Sequence, residues 1–168
     1  GYLGLAHHPS LAEAFSRAVR DEGVGAMASR LVTGTRREHS CLEEALAALK
    51  GTEAAVSFSS GYATSLGVIA SIADREDTVL MDKLSHASLI DGIRLSAAKC
   101  IRYRHNDLAQ LERLLKEHHS AFRQIIIVTE SIFSMDGDQA DLPALAELKR
   151  RYGNCLLYTS PSPRDSTS

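Results

Sequence analysis

The segment that most restricts the possible folds of this chain is an uninterrupted apolar run, Ile125-Ile126-Ile127-Val128, within residues 124–129. A strand with one face in solvent alternates apolar and polar residues, whereas a strand covered on both faces is apolar throughout. The run therefore predicts a strand in the interior of a sheet. Because both faces of such a sheet must be covered, we expect helices on each side of it.

Strand and helix patterns alternate along most of the chain, which predicts an α/β fold with a mainly parallel sheet and helices on both faces. Each predicted strand is followed by a helical pattern of apolar residues. The predicted strands cover residues 54–58, 78–82, 99–103 and 124–129. Sheets of this class bind ligands beyond the carboxyl ends of their strands, so we expect the functional residues there.

Two helical patterns precede the first predicted strand. The first begins at Pro9-Ser10, carries an apolar stripe that should pack against another element, and ends at Gly23. The second ends at Gly51. Two possible capping boxes precede or overlap it, Thr35 with Glu38 and Ser40 with Glu43. The small residues between the helices fit either a plain connector or a loop near a ligand or a second subunit.

The junction after the first predicted strand has the pattern of a phosphate site. Ser60 is the expected cap of the following helix, Gly61 lets a ligand approach the backbone, and Tyr62 places a flat ring beside it. The free N–H groups and the positive end of the helix dipole favour an anion there. Many helices that bind nothing begin in the same way. The junction also lacks the residue spacing of the loops that bind ATP or NAD.

Two more polar clusters follow predicted strands. Ser85-His86 comes after the second strand, and residues 130–138 come after the strand at 124–129. His86 fits either a functional or a satisfied structural imidazole. The acids of residues 130–138 could hold magnesium, but Asp136-Gly137 equally predicts a turn, and we expect no metal site. Because parallel strands end at one edge of the sheet, the three clusters are expected to share one crevice.

Composition disfavours several classes of protein. The 168 residues are 44% hydrophobic and 24% charged, with a net charge of -2, so no nucleic-acid partner is expected. No apolar run approaches the roughly 20 residues of a membrane span, so no membrane association is expected and the default location is the cytoplasm.

The scattered cysteines are expected to be reduced and mostly buried. They are Cys41, Cys100 and Cys155.

The two ends of the sequence differ from the rest. The chain begins without Met, so further upstream sequence is expected, and residues 156–168 change abruptly to serine, threonine and proline. That stretch fits translated adapter sequence or a natural linker, and it is left out of the predicted fold. The predicted division is residues 1–52 as helices and a loop, residues 53–155 as the sheet domain, and residues 156–168 as a non-native tail.

Seven short motifs between Tyr2 and Gly153 carry a family resemblance. They are Tyr2-Leu3-Gly4-Leu5, Val32-Thr33-Gly34-Thr35, His39-Ser40-Cys41-Leu42-Glu43, Phe58-Ser59-Ser60-Gly61-Tyr62-Ala63, Asp82-Lys83-Leu84-Ser85-His86-Ala87-Ser88, Arg104-His105-Asn106-Asp107 and Thr129-Glu130-Ser131-Ile132-Phe133-Ser134-Met135-Asp136-Gly137-Asp138. In this order and spacing they resemble the α-oxoamine synthases, a family of pyridoxal-phosphate enzymes. The fifth and seventh motifs are the most specific.

The resemblance implies a truncated large domain of the fold-type I pyridoxal-phosphate-dependent transferases, which acts as a homodimer when full length. It implies that Gly61 and Tyr62 contact the cofactor. His86 would stack on the pyridine ring as the catalytic residue, and Ser134 would hydrogen-bond the cofactor. The implied reaction joins an amino acid to an acyl-CoA with loss of CO₂, for which pyridoxal phosphate acts as an electron sink.

The sequence departs from the family in one respect. The family's Schiff-base lysine, with its accompanying aspartate and histidine, is expected after Gly153, where the tail begins. None of the lysines occupies that motif, and they are Lys50, Lys83, Lys99, Lys116 and Lys149. The chain is therefore expected to be an amino-terminal fragment that does not turn over by itself.

The member of the family that acts in biotin biosynthesis is favoured over the glycine-acetylating member. A non-catalytic domain that dimerises or binds a partner also remains open. The resemblance further suggests that Gly34-Thr35 approaches the site of the neighbouring subunit.

Overall fold

The computed structural model describes residues 4–160, which fall into two compact units divided between Phe58 and Ser59. The sequence predicted a boundary after residue 52. Tyr2 and Leu3 of the first motif and residues 161–168 of the tail lie outside the described residues.

The amino-terminal unit is helical over its described part, residues 4–58. A 3-10 turn at Leu5–His7 is followed by helices α1 (Pro9–Glu22), α2 (Arg30–Thr33) and α3 (Arg37–Lys50). The first helix begins and ends as predicted, because Pro9 has the φ of a first helical turn and Gly23 ends it. Arg36 is the N-cap of α3, and its backbone N–H donates to His39 Nδ1 at 3.3 Å. Neither predicted capping box forms.

Residues 54–58 are irregular, so the strand predicted there is wrong. A β-type sequence forms a strand only when a neighbour pairs with it, and this segment bonds to a side chain instead. The Ser57 backbone N–H donates to Glu43 Oε1 at 2.8 Å, and its hydroxyl donates to the same oxygen at 2.9 Å. Both oxygens of Glu43 also accept from the Arg30 guanidinium. The Arg30 hydrogen bonds, followed by those of Ser57, lower the pKa of Glu43 to about 2.

The second unit contains a parallel sheet of four strands among residues 59–160, in the order β2-β1-β3-β4. The strands are β1 (Thr78–Asp82), β2 (Lys99–Tyr103), β3 (Ile125–Glu130) and β4 (Cys155–Ser160). Every residue of the two interior strands, β1 and β3, is buried. The interior strand predicted from its apolar run is therefore confirmed.

Four helices cover the two faces of this sheet. They are α4 (Gly61–Ile72), α5 (Ala87–Ser96), α6 (Leu108–His118) and α7 (Leu142–Arg151). Alternate residues of the interior strands belong to two separate core clusters, since successive side chains point to opposite faces. One cluster includes Leu111 of α6 and Leu145 of α7, and the other includes Ile69 of α4 and Leu89 of α5. The predicted α/β class with helices on both faces is confirmed.

Helices α4 and α5 approach each other closely at Gly92. A Cβ atom at this position would lie 2.7 Å from the Ser65 carbonyl oxygen and 3.2 Å from the Ile69 Cβ. Only glycine fits this contact without a shift of the helices. The starts of the two helices are thereby held side by side.

The fourth strand includes residues 156–160, so their exclusion from the predicted fold is wrong. Strand β4 pairs with β3 from Ile125 opposite Cys155 to Glu130 opposite Ser160. Leu157 packs against one core cluster and Tyr158 against the other, which fits the alternation of side chains along a strand. The foreign origin of the tail stays a prediction.

Two of the three cysteines are not buried as expected. Cys41 and Cys100 are exposed, while Cys155 is buried. Cys100 lies on β2, an edge strand that the helices cover less than the interior strands. Within residues 4–160, no helix combines the length and the apolarity that crossing a bilayer requires.

Candidate functional site

The first candidate junction lies at the start of helix α4. Ser60 caps this helix, and its hydroxyl accepts from the Ala63 N–H at 3.1 Å. The N–H groups of the first helical turn have no acceptor within the helix, and they lie at the positive end of its dipole. Gly61 and Tyr62 are exposed, and a Cβ at Gly61 would meet nothing within 4 Å. The junction can therefore receive an anion against its backbone.

The second junction lies beyond the carboxyl end of β1. His86 is the N-cap of α5, and its ring is exposed. Ser88 holds one edge of that ring: its backbone N–H donates to Nδ1 at 3.1 Å, and its hydroxyl oxygen lies 2.8 Å from the same nitrogen. The neighbouring Ser85 Oγ is buried and has no hydrogen-bond partner among the described residues. The ring is thus exposed and fixed in orientation.

A short chain of hydrogen bonds connects the two junctions. The Ser88 hydroxyl donates to the Ser65 hydroxyl at 3.1 Å, and Ser65 in turn donates to the Gly61 carbonyl at 3.2 Å. One turn away, the Tyr62 hydroxyl donates to the Asp91 carboxylate at 2.7 Å. This hydrogen bond raises the pKa of Tyr62, with a smaller contribution from burial. The structure therefore brings Gly61, Tyr62 and His86 into one neighbourhood.

Strand β3 contributes a buried carboxylate to the same neighbourhood. Glu130, its last residue, accepts a hydrogen bond from the His86 backbone N–H through Oε1. Burial raises the pKa of Glu130, although the hydrogen bond from His86 opposes the shift. Sequence reasoning considered Glu130 only as a possible metal ligand. An acidic residue at the end of an otherwise apolar strand was the signal for this contact.

Ser134 lies on an exposed turn at the same edge of the sheet, four residues beyond Glu130. The turn closes through two backbone hydrogen bonds, from Phe133 N–H to Asp138 O at 2.9 Å and from Gly137 N–H to Phe133 O at 2.8 Å. Gly137 has a φ of 76°, as expected for the turn predicted at Asp136-Gly137. The roles assigned to Gly61, Tyr62, His86 and Ser134 stay predictions.

Sequence reasoning missed a cluster of charged residues beside this turn. The ring of His105 lies between two carboxylates, with Nδ1 at 3.0 Å from Asp82 Oδ1 and Nε2 at 2.6 Å from Asp138 Oδ2. The sequence placed His105 in the family motif Arg104-His105-Asn106-Asp107 and gave it no role in the site. Because its partners are 23 and 33 residues away, no local pattern indicates the cluster. Within the described part of the chain, no group of three or more His, Cys, Asp or Glu residues is arranged to hold a metal ion.

Residues 1–159 match the family model described as aminotransferase class I and II. The chain belongs to this family. The match extends into β4, so it covers almost the whole described sheet unit of this aminotransferase-family chain.

Several curated relatives carry the same name. The chain is 56% identical over 156 residues to the 8-amino-7-oxononanoate synthase of Geobacter sulfurreducens, and this match covers 93% of the chain and 40% of the relative. It is 45% identical over 157 residues to a putative 8-amino-7-oxononanoate synthase of Aquifex aeolicus, covering 94% of the chain and 42% of the relative. The chain therefore spans about 40% of the length of the curated relatives it matches.

Solved structures with the same fold include two members of the predicted family. A serine palmitoyltransferase from S. paucimobilis with a bound PLP-myriocin aldimine superposes with a TM-score of 0.88 at 31% identity, over 93% of this chain and 40% of that one. The 8-amino-7-oxononanoate synthase from Francisella tularensis gives a TM-score of 0.77 at 28% identity, over 94% of this chain and 42% of that one. The predicted fold-type I transferase domain and the resemblance to the α-oxoamine synthases are confirmed.

Proposed function

We propose that this chain is the amino-terminal part of an 8-amino-7-oxononanoate synthase, a pyridoxal-phosphate enzyme that condenses an amino acid with an acyl-CoA in biotin biosynthesis. The observation that carries the proposal is the hydrogen-bonded path from Gly61 through Ser65 to Ser88, whose backbone N–H in turn donates to the ring of His86. It joins the anion-binding helix start to an exposed aromatic ring, which are the two features that a phosphorylated pyridine requires. The names of the curated relatives support this member of the family over glycine C-acetyltransferase.

The residues present fit pyridoxal phosphate. The open space beside Gly61 leaves the first-turn N–H groups of α4 accessible to a phosphate. The exposed and oriented ring of His86 suits stacking, and the buried Ser85 Oγ has an unused hydrogen-bonding capacity beside it. When bound, the cofactor would supply an electron sink that stabilises negative charge at the substrate α-carbon.

The contributions of the chain itself are binding and orientation. Helix α4 would hold the phosphate through its backbone and its dipole. Ser88 keeps the His86 ring in one orientation, and Glu130 fixes the backbone of the same residue. An exposed ring that is held through Nδ1 on a fixed backbone loses little entropy when it stacks on a ligand.

The remaining parts of the proposal concern the whole protein. We propose that the whole protein is a homodimer, that it is located in the cytoplasm, and that its substrates are an acyl-CoA and an amino acid. We also propose that the 168-residue chain alone does not turn over, because none of its lysines occupies the family's Schiff-base motif.

Replacing His86 tests the proposal. In the full-length protein, His86→Ala should lower the condensation of alanine with pimeloyl thioester by about a hundredfold, because a cofactor ring that is no longer held by stacking is misplaced relative to the reacting atoms. It should also weaken the binding of pyridoxal phosphate, measured by equilibrium dialysis. The free energy of unfolding should fall by no more than about 1 kcal/mol, which is the typical cost of losing a helix N-cap, because the rest of the ring is exposed.

His118→Ala is the matched control, since this partly buried histidine lies at the far end of α6. Its activity and cofactor binding should equal those of the wild type. Equal losses of stability and activity in His86→Ala would make His86 a structural residue and remove the main support for the site. Faster condensation of glycine with acetyl-CoA than of alanine with pimeloyl thioester would assign the protein to the other member of the family.

A further inference from the structure

A histidine that the proposed reaction does not use connects the ends of three neighbouring strands. His105 follows β2, Asp82 is the last residue of β1, and Asp138 closes the turn that follows β3. The imidazole contacts both carboxylates, at 3.0 Å through Nδ1 and at 2.6 Å through Nε2. Its ring also packs edge-on against Phe133, with the ring centroids 4.4 Å apart.

The two carboxylate contacts indicate the charge state of this ring. An ionised carboxylate only accepts hydrogen bonds, so both ring nitrogens must carry protons to satisfy both partners. Burial by itself lowers the pKa of His105. The hydrogen bonds that the ring donates to Asp82 and Asp138 outweigh this effect, so the pKa is raised from its ordinary value. Since Asp82 is fully buried, its charge needs the partner that the imidazolium provides.

Asn106 strengthens the same connection. Its backbone N–H donates to Asp82 Oδ2 at 2.9 Å, and its side-chain amide donates to Asp138 Oδ2 at 3.0 Å. Asn106 makes both contacts with a φ of 53°, in the left-handed region, which asparagine enters more readily than most residues other than glycine. The residue type therefore suits the backbone conformation from which both carboxylates are reached.

The segment fixed at this point is the turn of residues 133–138. Its two ends are joined by the Phe133–Asp138 backbone hydrogen bond, and both of those residues contact the His105 ring. Ser134, the next residue after Phe133, is exposed on this turn. The position of Ser134 relative to the edge of the sheet thus depends on the contacts of His105.

We propose that His105 is a positioning residue, whose imidazolium, held between Asp82 and Asp138, fixes the 133–138 turn and so places Ser134 for the ligand. The part that concerns the ligand rests on the proposed function. The part that concerns the turn rests on the contacts of His105 alone. The two parts are separable by experiment.

Hydrogen exchange tests the first part without cofactor. In the full-length apoprotein, His105→Gln should speed the exchange of the backbone N–H groups of Phe133 and Gly137, the two that hydrogen-bond within the turn, by at least about tenfold, because charge-assisted hydrogen bonds hold this turn. The N–H groups of β3 should exchange as in the wild type. Asp138→Asn should give a smaller change in the same direction. His118→Gln, which alters a histidine at the end of α6, should leave the turn unchanged.

The cofactor affinity of the same variants tests the second part. The Kd for pyridoxal phosphate should rise at least about tenfold in His105→Gln and not at all in His118→Gln. Unchanged exchange of the turn in His105→Gln would overturn the proposal, as would faster exchange that extends equally through β1 and β3. A looser turn with an unchanged Kd would also overturn it. If the wild type does not bind pyridoxal phosphate, the proposed function fails, while the exchange result still decides the role of His105 in the turn.

The pH dependence gives an independent readout in the wild type. A raised pKa means that the imidazolium stabilises the folded state fully below the ordinary value of 6.5 and that this contribution is lost as the pH rises through the folded pKa. The titratable groups around the ring are Asp82 on β1 and Asp138 after β3. Tyr103 and Glu130 interact electrostatically with Asp82, and the pKa of each is raised mainly by burial. Protection of the Phe133 and Gly137 N–H groups, corrected for intrinsic exchange, should fall as the pH rises above 6.5 in the wild type and not in His105→Gln.

Discussion

Residues 4–58 and residues 59–160 differ in how much of their apolar surface is buried. In the described part of the amino-terminal unit, Ala47 is the only buried residue, and Phe15 and Leu31 are 72% and 96% exposed. The sheet unit instead buries every residue of β1 and β3. The stability of the sheet unit therefore comes mainly from apolar burial. In the amino-terminal unit, polar contacts such as those of Glu43 make a larger share of the contribution than they do in the sheet unit.

Truncating a core side chain should show this difference most strongly. Ile127→Ala, in the centre of β3, should lower the free energy of unfolding by about 2–5 kcal/mol, because it leaves a cavity between two covered faces. Leu31→Ala should change it by no more than about 0.5 kcal/mol, since this side chain is almost fully exposed. Denaturant unfolding measures both. Similar losses in the two variants would mean that Leu31 is buried in solution and that the contrast between the units is wrong.

Adding a methyl group at Gly92 should have an intermediate effect. Alanine is the better helix former by about 1 kcal/mol, but its Cβ would lie 2.7 Å from a backbone oxygen of α4. We expect a net loss of about 1–2 kcal/mol in thermal or denaturant unfolding, together with a separation of α4 from α5.

Gly25→Ala is the matched control in the looser unit, where a Cβ would meet nothing within 4 Å. This change should be neutral or stabilise the protein by up to about 1 kcal/mol. If Gly92→Ala is equally harmless, the two helices are not closely packed at this point.

The smallest effect is expected at Glu43, and it should depend on pH. Its folded pKa of about 2 lies below the ordinary 4.5, so its carboxylate stabilises the folded state above pH 4.5 and loses this contribution as the pH falls towards 2. Glu43→Gln should therefore lower the unfolding midpoint of the amino-terminal unit at pH 7 and flatten its dependence on pH between 4.5 and 2. An unchanged acid profile would show that Arg30 and Ser57 do not hold Glu43 in solution. Asp21→Asn, on the exposed surface of α1, is the control.

The parts of the fold that could be predicted from sequence depend on local patterns. The apolar run of β3 predicted an interior strand, and Asp107 and Asp141 cap α6 and α7 as capping residues do. The failures involve partners distant in the chain. Residues 54–58 have the composition of a strand, but Glu43 bonds to Ser57 instead. The apolar stripe of α1 was expected to be packed, but none of the residues of α1 is buried.

The candidate site shows the same division. The sequence indicated two helix starts and a turn at one edge of a parallel sheet, because small and polar residues after apolar runs mark such places. It did not indicate Glu130 beneath His86 or the imidazolium between Asp82 and Asp138.

The sequence by itself determined the secondary structure around the interior strands, the α/β class and the family. These follow from hydrophobic periodicity and from motifs that act over a few residues. Only the tertiary structure decided which carboxylates contact His86 and His105 and where the first unit leaves apolar side chains exposed. Pairings between residues 23 to 44 positions apart depend on how the strands align, and no local pattern encodes that alignment.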